Sequence, residues 1–296
     1  MKVLTLMVGK EHVNGILHSP DISINPKIMV VFLHGWAGYR TGPHDLFVKL
    51  ARALSNEGFY SLRFDFRGRG YSYGDKKNTS HLSMLADLDA ALDYAKKETN
   101  IQHIVLLGIC SGAKLALYYA KNGKRKIDHV IELSSPLLIY NNQENTLHLS
   151  QTKSNITNYA QKLFQKTTWI KVCSGDIHLG KIMNNITKPI RRISLTPSFL
   201  YKKNKKQTIT QSTTSFQSFK GQVLLIHGEK DPETSVAIPQ IEALLIRFRI
   251  RFEKHIIAGA NHSFYSIKWE QEIIEIVTDW LNKQYSSIRI TKDIEA

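Results

Sequence analysis

A cysteine with a glycine two positions away on each side is the first candidate for chemistry in this chain. The segment reads Gly108-Ile109-Cys110-Ser111-Gly112. An apolar run at 101–107 precedes it, and a helix-like run at 113–120 follows. In the order strand, sharp turn and helix, the pattern Gly-x-nucleophile-x-Gly places a nucleophile on a strained turn where only glycines leave enough room. The spacing therefore predicts a nucleophilic thiol on Cys110, with Gly108 and Gly112 as supporting residues.

Ser111 is the alternative nucleophile. In its register the flanking positions would be Ile109 and Ala113, and a β-branched isoleucine would crowd the turn. The register thus favours Cys110. A further alternative is a buried cysteine–serine pair in a glycine-containing loop that has no catalytic role.

A nucleophilic thiol needs a base, and the base needs an acid that orients it. Asp231 follows an apolar run at 223–226, and His262 follows another at 252–257. The carboxyl ends of parallel strands carry active-site loops, so both residues are well placed. The order cysteine, aspartate, histidine predicts a triad in which His262 activates Cys110.

Each partner also has an interpretation without catalysis. Asp231 precedes Pro232 and is suited to capping the next helix. Glu229 is the nearest substitute for the acid. His262 is one of 12 histidines and could be an ordinary surface residue.

The segment His34-Gly35-Trp36 follows a continuous apolar run at 28–33. The backbone N–H after such a His-Gly pair joins the N–H after the nucleophile in stabilising an oxyanion. The predicted donors are Trp36 and Ser111, and this role uses only the backbone of Ser111. His34 is expected to hold the loop by hydrogen bonds and Gly35 to support it, while Asp65 is expected to organise its own loop.

Strands and helices alternate along most of the chain. Predicted strands lie at 28–33, 60–64, 101–107, 130–133, 223–226 and 252–257, and predicted helices at 46–54, 82–97, 113–120, 236–248 and 265–282. Residues 1–8 and 12–18 form a predicted hairpin, and the polar residues 285–296 a loosely held tail. The alternation indicates an α/β fold with a mainly parallel central sheet and helices on both faces.

The interval 141–220 interrupts this alternation and is predicted to be an inserted cap between two core segments, 1–140 and 221–296. The 296 residues carry a net charge of +15, of which the interval contributes +11 through 13 basic and 2 acidic residues. The densest stretch is Lys202-Lys203-Asn204-Lys205-Lys206. This charge suggests an acidic substrate or partner, namely a CoA ester, an acyl carrier protein, an anionic glycan or a lipid headgroup. A merely solvated face is the alternative.

The composition argues against several other classes of protein. No stretch approaches the ~18 apolar residues of a membrane span, and the start of the chain lacks the cleavage site of a signal peptide. Two cysteines, Cys110 and Cys173, form no disulfide framework, which favours the cytoplasm, with peripheral binding to an anionic membrane as an option. Nucleic-acid binding is suggested by charge alone and is not expected. No metal or cofactor is expected.

Taken together, the motifs resemble those of the α/β-hydrolase superfamily. The loop at 65–72 reads Asp65-Phe66-Arg67-Gly68-Arg69-Gly70-Tyr71-Ser72 and is similar to the D-x-R-G-x-G-x-S loop common there. The resemblance covers nearly the whole chain except the insertion, and implies the α/β-hydrolase fold with a cap. The segments 63–68, 108–110 and 169–175 also resemble the cysteine-nucleophile hydrolases associated with exosortase systems.

These residues predict an enzyme that cleaves an ester or thioester through an acyl-enzyme on Cys110. An acyltransferase is one alternative, because a thioester intermediate passes its acyl group to an alcohol or amine as well as to water. A non-catalytic binding member of the fold is another, although the full set of nucleophile, acid, base and oxyanion loop argues against it.

Overall fold

The structure is a computed structural model that describes residues 1–20, 27–75, 79–136 and 219–290. The described strands are β1 (Lys2–Val8), β2 (Glu11–His18), β3 (Ile28–Leu33), β4 (Tyr60–Phe64), β5 (His103–Ile109), β6 (His129–Leu133), β7 (Gln222–Gly228) and β8 (Arg251–Ile257). The described α-helices are α1 (Leu46–Asn56), α2 (His81–Thr99), α3 (Ser111–Asn122), α4 (Thr234–Arg247) and α5 (Ile267–Ile290). A short 3₁₀ turn, Pro43–Asp45, leads into α1.

The strands form one eight-stranded sheet in the order β1-β2-β4-β3-β5-β6-β7-β8. The hairpin strands β1 and β2 pair antiparallel, and β2 pairs antiparallel with β4. All pairs from β4 to β8 across the sheet are parallel, so the carboxyl ends of β3 to β8 lie at one edge. The mainly parallel sheet and the α/β-hydrolase fold expected from the sequence are confirmed.

Apolar side chains cover both faces of this sheet. One cluster includes Leu88 of α2, Leu115 of α3 and Ile241 of α4. The other includes Leu50 of α1 and Val277 of α5. Because β3 is buried at all six positions between these layers, its sequence is apolar throughout instead of alternating. The buried layers hold the strand ends, and therefore the loops that follow them, in fixed positions.

The prediction of a loose tail from residue 285 is wrong over the described part of that segment. Helix α5 continues to Ile290, and Tyr285 is 2% exposed. Its ring lies 5.6 Å from that of His103, 5.5 Å from that of His129 and 6.3 Å from that of Phe59, measured between centroids. Burial of this aromatic ring stabilises the extra helical turns. Residues 291–296 lie outside the described part of the chain.

Most of the predicted cap also lies outside the described residues. This includes Cys173 and the basic stretch 202–206, whereas Phe219 is described and belongs to the first apolar cluster. In the described ranges, no helix combines the length and the apolar character that crossing a membrane would require.

Candidate active site

Cys110 occupies the sharp turn between β5 and α3. The strand ends at Ile109, the helix begins at Ser111, and Cys110 alone connects them, with φ 55° and ψ −125°. Positive φ is unfavourable for a residue with a side chain and persists only where the surrounding structure enforces it. Here the Cys110 N–H donates a hydrogen bond to the Leu133 carbonyl at the end of β6, 2.9 Å away. This geometry matches the strained turn predicted from the sequence.

The two glycines of the turn are required for steric reasons. A Cβ atom on Gly108 would overlap the Gly112 carbonyl, and a Cβ on Gly112 would overlap the Leu33 carbonyl at the end of β3. The backbone of the turn is therefore packed directly against itself and against a neighbouring strand. Ser111 would lack such glycines on its two sides if it occupied the turn.

His262 and Asp231 come from the loops after β8 and β7 and meet at the same edge of the sheet. His262 Nδ1 lies 2.8 Å from Asp231 Oδ2. The other carboxylate oxygen, Oδ1, accepts a hydrogen bond from the Glu233 N–H at the start of α4, 3.0 Å away. Asp231 thus contacts the histidine and also binds the backbone N–H of Glu233, which is the N-cap residue of α4, so Asp231 is not itself the helix cap.

The His262 ring contacts the Cys110 thiol as well as Asp231. Hydrogen bonds to Asp231 and then to Cys110 raise the pKa of His262 to about 10, although burial opposes this. For Asp231, burial favours the neutral acid, but the hydrogen bond and charge of His262 outweigh it and lower the pKa. The structure therefore brings together the three side chains predicted as a triad, with the proton on His262 favoured.

The alternative acid, Glu229, is engaged elsewhere. Its Oε2 accepts a hydrogen bond from the Gly259 N–H, 2.7 Å away. This contact ties the loop after β7 to the loop after β8 and so supports the positions of Asp231 and His262. Glu229 stabilises the two loops, and Asp231 is the carboxylate that faces the histidine.

His34 holds the loop after β3. Its Nε2 accepts a hydrogen bond from the Phe66 N–H at 3.1 Å, so its Nδ1–H donates to the Gly35 carbonyl at 2.8 Å. Burial lowers the pKa of His34 to about 4 and keeps the ring neutral, as an acceptor on one nitrogen requires. Gly35 lies against the turn, since a Cβ added to it would be 3.3 Å from Cys110 Cβ.

Trp36 and Ser111, the two predicted oxyanion donors, contact each other. The Trp36 N–H donates a hydrogen bond to Ser111 Oγ, 2.7 Å away. The sequence interpretation assigned Ser111 a backbone role that needs no hydroxyl, and it missed this bond. The hydroxyl-bearing residue directly after the predicted nucleophile is the sequence signal from which this bond could have been anticipated.

The loop after β4 packs beside this site and is organised by Asp65. The fully buried Asp65 carboxylate accepts hydrogen bonds from the Arg40 N–H at 2.6 Å and the Tyr71 N–H at 3.1 Å, and it pairs with the Arg40 guanidinium. The Arg69 guanidinium lies 4.7 Å from the ring centroid of Trp36. These contacts give Asp65 a structural function.

A buried carboxyl group beneath the turn was not anticipated. Glu132 of β6 pairs in register with Gly108 and is 0% exposed. Burial raises its pKa to about 8, against the influence of Ser135 and Lys114. Lys114 follows Cys110 by one helical turn, and burial lowers its pKa. The signal for Glu132 was a single acid inside an apolar strand.

The described residues place no three histidine, cysteine, aspartate or glutamate side chains where they could hold a metal ion. Of the two cysteines, Cys110 is described and is a free thiol.

Comparison with solved structures gives the same fold. An esterase from Pyrococcus furiosus matches with a TM-score of 0.62 at 17% identity, over 95% of this chain and 90% of that one. Est1E from Butyrivibrio proteoclasticus with bound ferulic acid matches with a TM-score of 0.60 at 17% identity, over 96% and 99%. An α/β serine hydrolase homologue from Coxiella burnetii matches with a TM-score of 0.59 at 15% identity, over 95% and 97%.

Sequence comparisons agree with the fold. The chain is 34% identical to human Protein ABHD12B over 93 residues, which are 31% of this chain but only 24% of that protein. The closer resemblance to exosortase-associated cysteine hydrolases is not supported by these comparisons. The sequence profile of the family described as serine aminopeptidase, S33, matches residues 24–266. The chain therefore belongs to the serine aminopeptidase S33 family, a family of hydrolases with the α/β-hydrolase fold.

Proposed function

We propose that this protein hydrolyses carboxylic esters or thioesters through an acyl-enzyme intermediate on Cys110. The observation that carries the proposal is the position of the His262 ring, between the Asp231 carboxylate and the Cys110 thiol. Because its pKa is raised to about 10, a ring held in this way carries a proton at neutral pH and can pair with a thiolate formed on Cys110. Since the thiolate is the nucleophilic form of cysteine, the pair supplies the attacking group and a proton donor together.

Acylation begins when the Cys110 sulfur forms a bond to the carbonyl carbon of the substrate. The carbonyl electron pair moves onto oxygen, and the resulting oxyanion is stabilised by donors at the turn. When the intermediate collapses, the bond to the leaving oxygen or sulfur breaks, and the leaving group takes the proton from His262. The products are a thioester on Cys110 and a free alcohol or thiol.

Deacylation reverses these roles. Neutral His262 takes a proton from water while the water oxygen attacks the thioester carbonyl. The carbon–sulfur bond then breaks, a carboxylic acid leaves, and the thiolate returns beside the protonated ring. An alcohol or amine can replace water in this step, and the reaction is then a transfer of the acyl group instead of a hydrolysis.

The family name refers to a serine nucleophile, whereas the turn of this chain carries cysteine. Two features support Cys110 over Ser111. Cys110 has the positive φ of the turn, and the residues two positions away on each side of it are glycines, where any side chain would clash. A third is that Ser111 Oγ accepts a hydrogen bond from Trp36. Ser111 is accordingly assigned to a different role from that of the nucleophile.

The net positive charge of the chain suggests an acidic substrate. The interval 141–220 carries most of the net positive charge, with a maximum at 202–206. An acyl group attached to an acidic carrier, such as a CoA ester, an acyl carrier protein, an anionic glycan or a lipid headgroup, would be attracted to it.

Intact-mass spectrometry tests the intermediate. The protein is mixed with 4-nitrophenyl acetate, 4-nitrophenyl butyrate, acetyl-CoA and an amino-acid 4-nitroanilide, quenched in acid, and then digested to locate any adduct. We expect the acyl mass on Cys110 with an ester or thioester, and no adduct in Cys110→Ala. An adduct on Ser111 would overturn the assignment, and release of the acyl group only to an added amine or alcohol would indicate a transferase.

A further inference from the structure

The oxyanion loop and the turn are joined by one hydrogen bond that involves a side chain. The N–H of Trp36, one of the two expected oxyanion donors, is 2.7 Å from Ser111 Oγ and donates to it. In this arrangement Trp36 does not offer a free N–H to a substrate. The Trp36 N–H can therefore influence a bound substrate only through the Ser111 hydroxyl.

The Ser111 hydroxyl is held close to the reacting thiol. Ser111 follows Cys110 directly and is the first residue of α3. A Cβ built on Gly35 would lie 3.3 Å from Cys110 Cβ and 3.7 Å from Ser111 Oγ, so both side chains border the same short stretch of loop. The hydroxyl therefore lies between the turn and the loop, where a substrate carbonyl oxygen must be stabilised.

A hydroxyl group that accepts one hydrogen bond still has a proton to donate. In the part of the chain that the structure describes, Ser111 Oγ makes the bond from Trp36 and has no other partner. A donor on the acceptor side polarises the O–H bond and makes its proton a better donor. The chain Trp36 N–H to Ser111 Oγ–H can thus act as one extended donor.

We propose that the Ser111 hydroxyl is a catalytic residue that donates its proton in a hydrogen bond to the substrate oxyanion. The Ser111 N–H supplies a second donor from the same residue. The Trp36 N–H does not contact the oxyanion but donates to the Ser111 hydroxyl and polarises it. No bond to hydrogen is broken in this step, because the hydroxyl stabilises the oxyanion and remains protonated. The inference rests on the proposed acyl-enzyme mechanism and adds a side-chain donor to it.

The alternative, in which the hydroxyl is not a donor, predicts the opposite effect of Ser111→Ala on the acylation rate. If the hydroxyl only occupied the oxyanion site, it would have to leave before substrate could bind, and its removal would free the Trp36 N–H. Ser111→Ala would then react as fast as the wild-type protein or faster. If the hydroxyl is a donor, Ser111→Ala slows the formation of an oxyanion.

Two reactions of the same thiol separate these cases. Acylation by 4-nitrophenyl acetate passes through an oxyanion, whereas alkylation by iodoacetamide displaces iodide from a saturated carbon and forms none. Rates of both are measured by single-turnover kinetics for wild-type protein, Ser111→Ala and Ser111→Thr. Threonine is the matched control because it keeps the hydroxyl.

We expect Ser111→Ala to acylate about 10- to 100-fold more slowly, since one oxyanion donor is lost and the Trp36 N–H compensates in part. Its alkylation should stay within about twofold of wild type, and Ser111→Thr should recover most of the acylation rate. Unchanged or faster acylation by Ser111→Ala would overturn the inference. An equal loss in both reactions would overturn it too, because it would indicate a structural role at the turn.

Failure of the proposed function has a different signature. If Cys110 is not the nucleophile, Cys110→Ala will still be acylated and iodoacetamide will not block acylation of the wild-type protein. If Cys110 is the nucleophile and only the inference fails, these two controls will behave as expected while Ser111→Ala keeps its acylation rate.

Discussion

His262 Nδ1 lies 2.8 Å from Asp231 Oδ2, although 31 positions separate the two residues in the chain. Adjacent parallel strands, β7 and β8, end at the same edge of the sheet and deliver the two loops to one place. The remaining nitrogen of the ring is thereby left for Cys110. Several expected outcomes depend on this arrangement.

Replacement of Cys110, the proposed nucleophile, should abolish ester hydrolysis. We expect Cys110→Ala to lower kcat/KM for 4-nitrophenyl acetate by at least about 10³-fold. Cys110→Ser should retain only weak activity, because a serine hydroxyl is a poorer nucleophile than a thiol. Full activity of Cys110→Ala in a steady-state assay would contradict the thiol mechanism.

Removal of the orienting carboxylate should affect both the rate and its pH dependence. Asp231→Asn should lower kcat about 10³- to 10⁴-fold, as expected when the histidine loses its correct tautomer. In wild-type protein the pKa of His262 is about 10, so the ring loses its proton only near pH 10. The rate of cleavage of an alkyl ester should therefore decline as the pH rises through about 10. Without Asp231 this decline should move to lower pH.

Glu229→Gln is the matched control for that experiment. A glutamine oxygen can still accept the hydrogen bond from the Gly259 N–H. We expect a rate within about threefold of wild type and an unchanged alkaline decline, because the loop contact survives. A large loss of kcat in Glu229→Gln with little change in Asp231→Asn would reverse the assignment of the acid.

The turn should not tolerate a side chain at residue 112. Gly112→Ala places a Cβ against the Leu33 carbonyl, so we expect it to lower the free energy of unfolding by about 3 kcal/mol or more. Gly9→Ala is the comparison, since Gly9 has a positive φ but nothing within 4 Å, and strain alone should cost about 1 to 2 kcal/mol. Urea denaturation measures both. Equal effects would show that the close approach to β3 is unimportant.

The buried Glu132 should make stability depend on pH. The pKa of Glu132 is raised to about 8 from an ordinary value of 4.5. Between pH 4.5 and pH 8 the carboxyl group is therefore protonated in the folded protein and ionised in the unfolded chain. The group therefore costs nothing below pH 4.5, and its cost grows until the pH reaches about 8. Glu132→Gln should gain stability relative to wild type over this window, on the order of 4 kcal/mol.

Urea denaturation at pH 5 and pH 8 tests this. The difference in unfolding free energy between Glu132→Gln and wild type should be larger at pH 8. A constant difference would mean that Glu132 does not change its protonation over that range. Comparing two variants at each pH removes the contribution of the buried histidines, which is common to both.

The basic stretch should matter for acidic substrates. With acetyl-CoA, we expect kcat/KM to fall steeply with added salt, because ionic screening weakens attraction at distances beyond ~10 Å. A variant with glutamine at the four lysines of 202–206 should have lost most of this salt dependence. The uncharged substrate 4-nitrophenyl acetate is the control, and equal salt effects on both substrates would argue against an acidic partner.

Much of the fold follows from local sequence patterns. The run of six apolar residues in β3 has the length of a buried strand and is too short for a helix. The glycines at 108 and 112 belong to a turn that has no room for a side chain at either position. The order Cys110, Asp231, His262 also predicts a triad, because parallel strands bring their carboxyl ends to one edge. These features depend on side-chain type and spacing, which the sequence displays directly.

Contacts between distant loops are different, because they depend on how elements pack. Only the tertiary structure places the Ser111 hydroxyl under the Trp36 N–H, buries Glu132 beneath the turn, and extends α5 so that Tyr285 reaches the rings of His103 and His129. A polar residue has the same local pattern whether it is solvated or buried, and its partner lies far away in the chain. The sequence by itself determined which residue lies at the turn and the sheet that presents it, whereas packing decided which hydrogen bonds surround it.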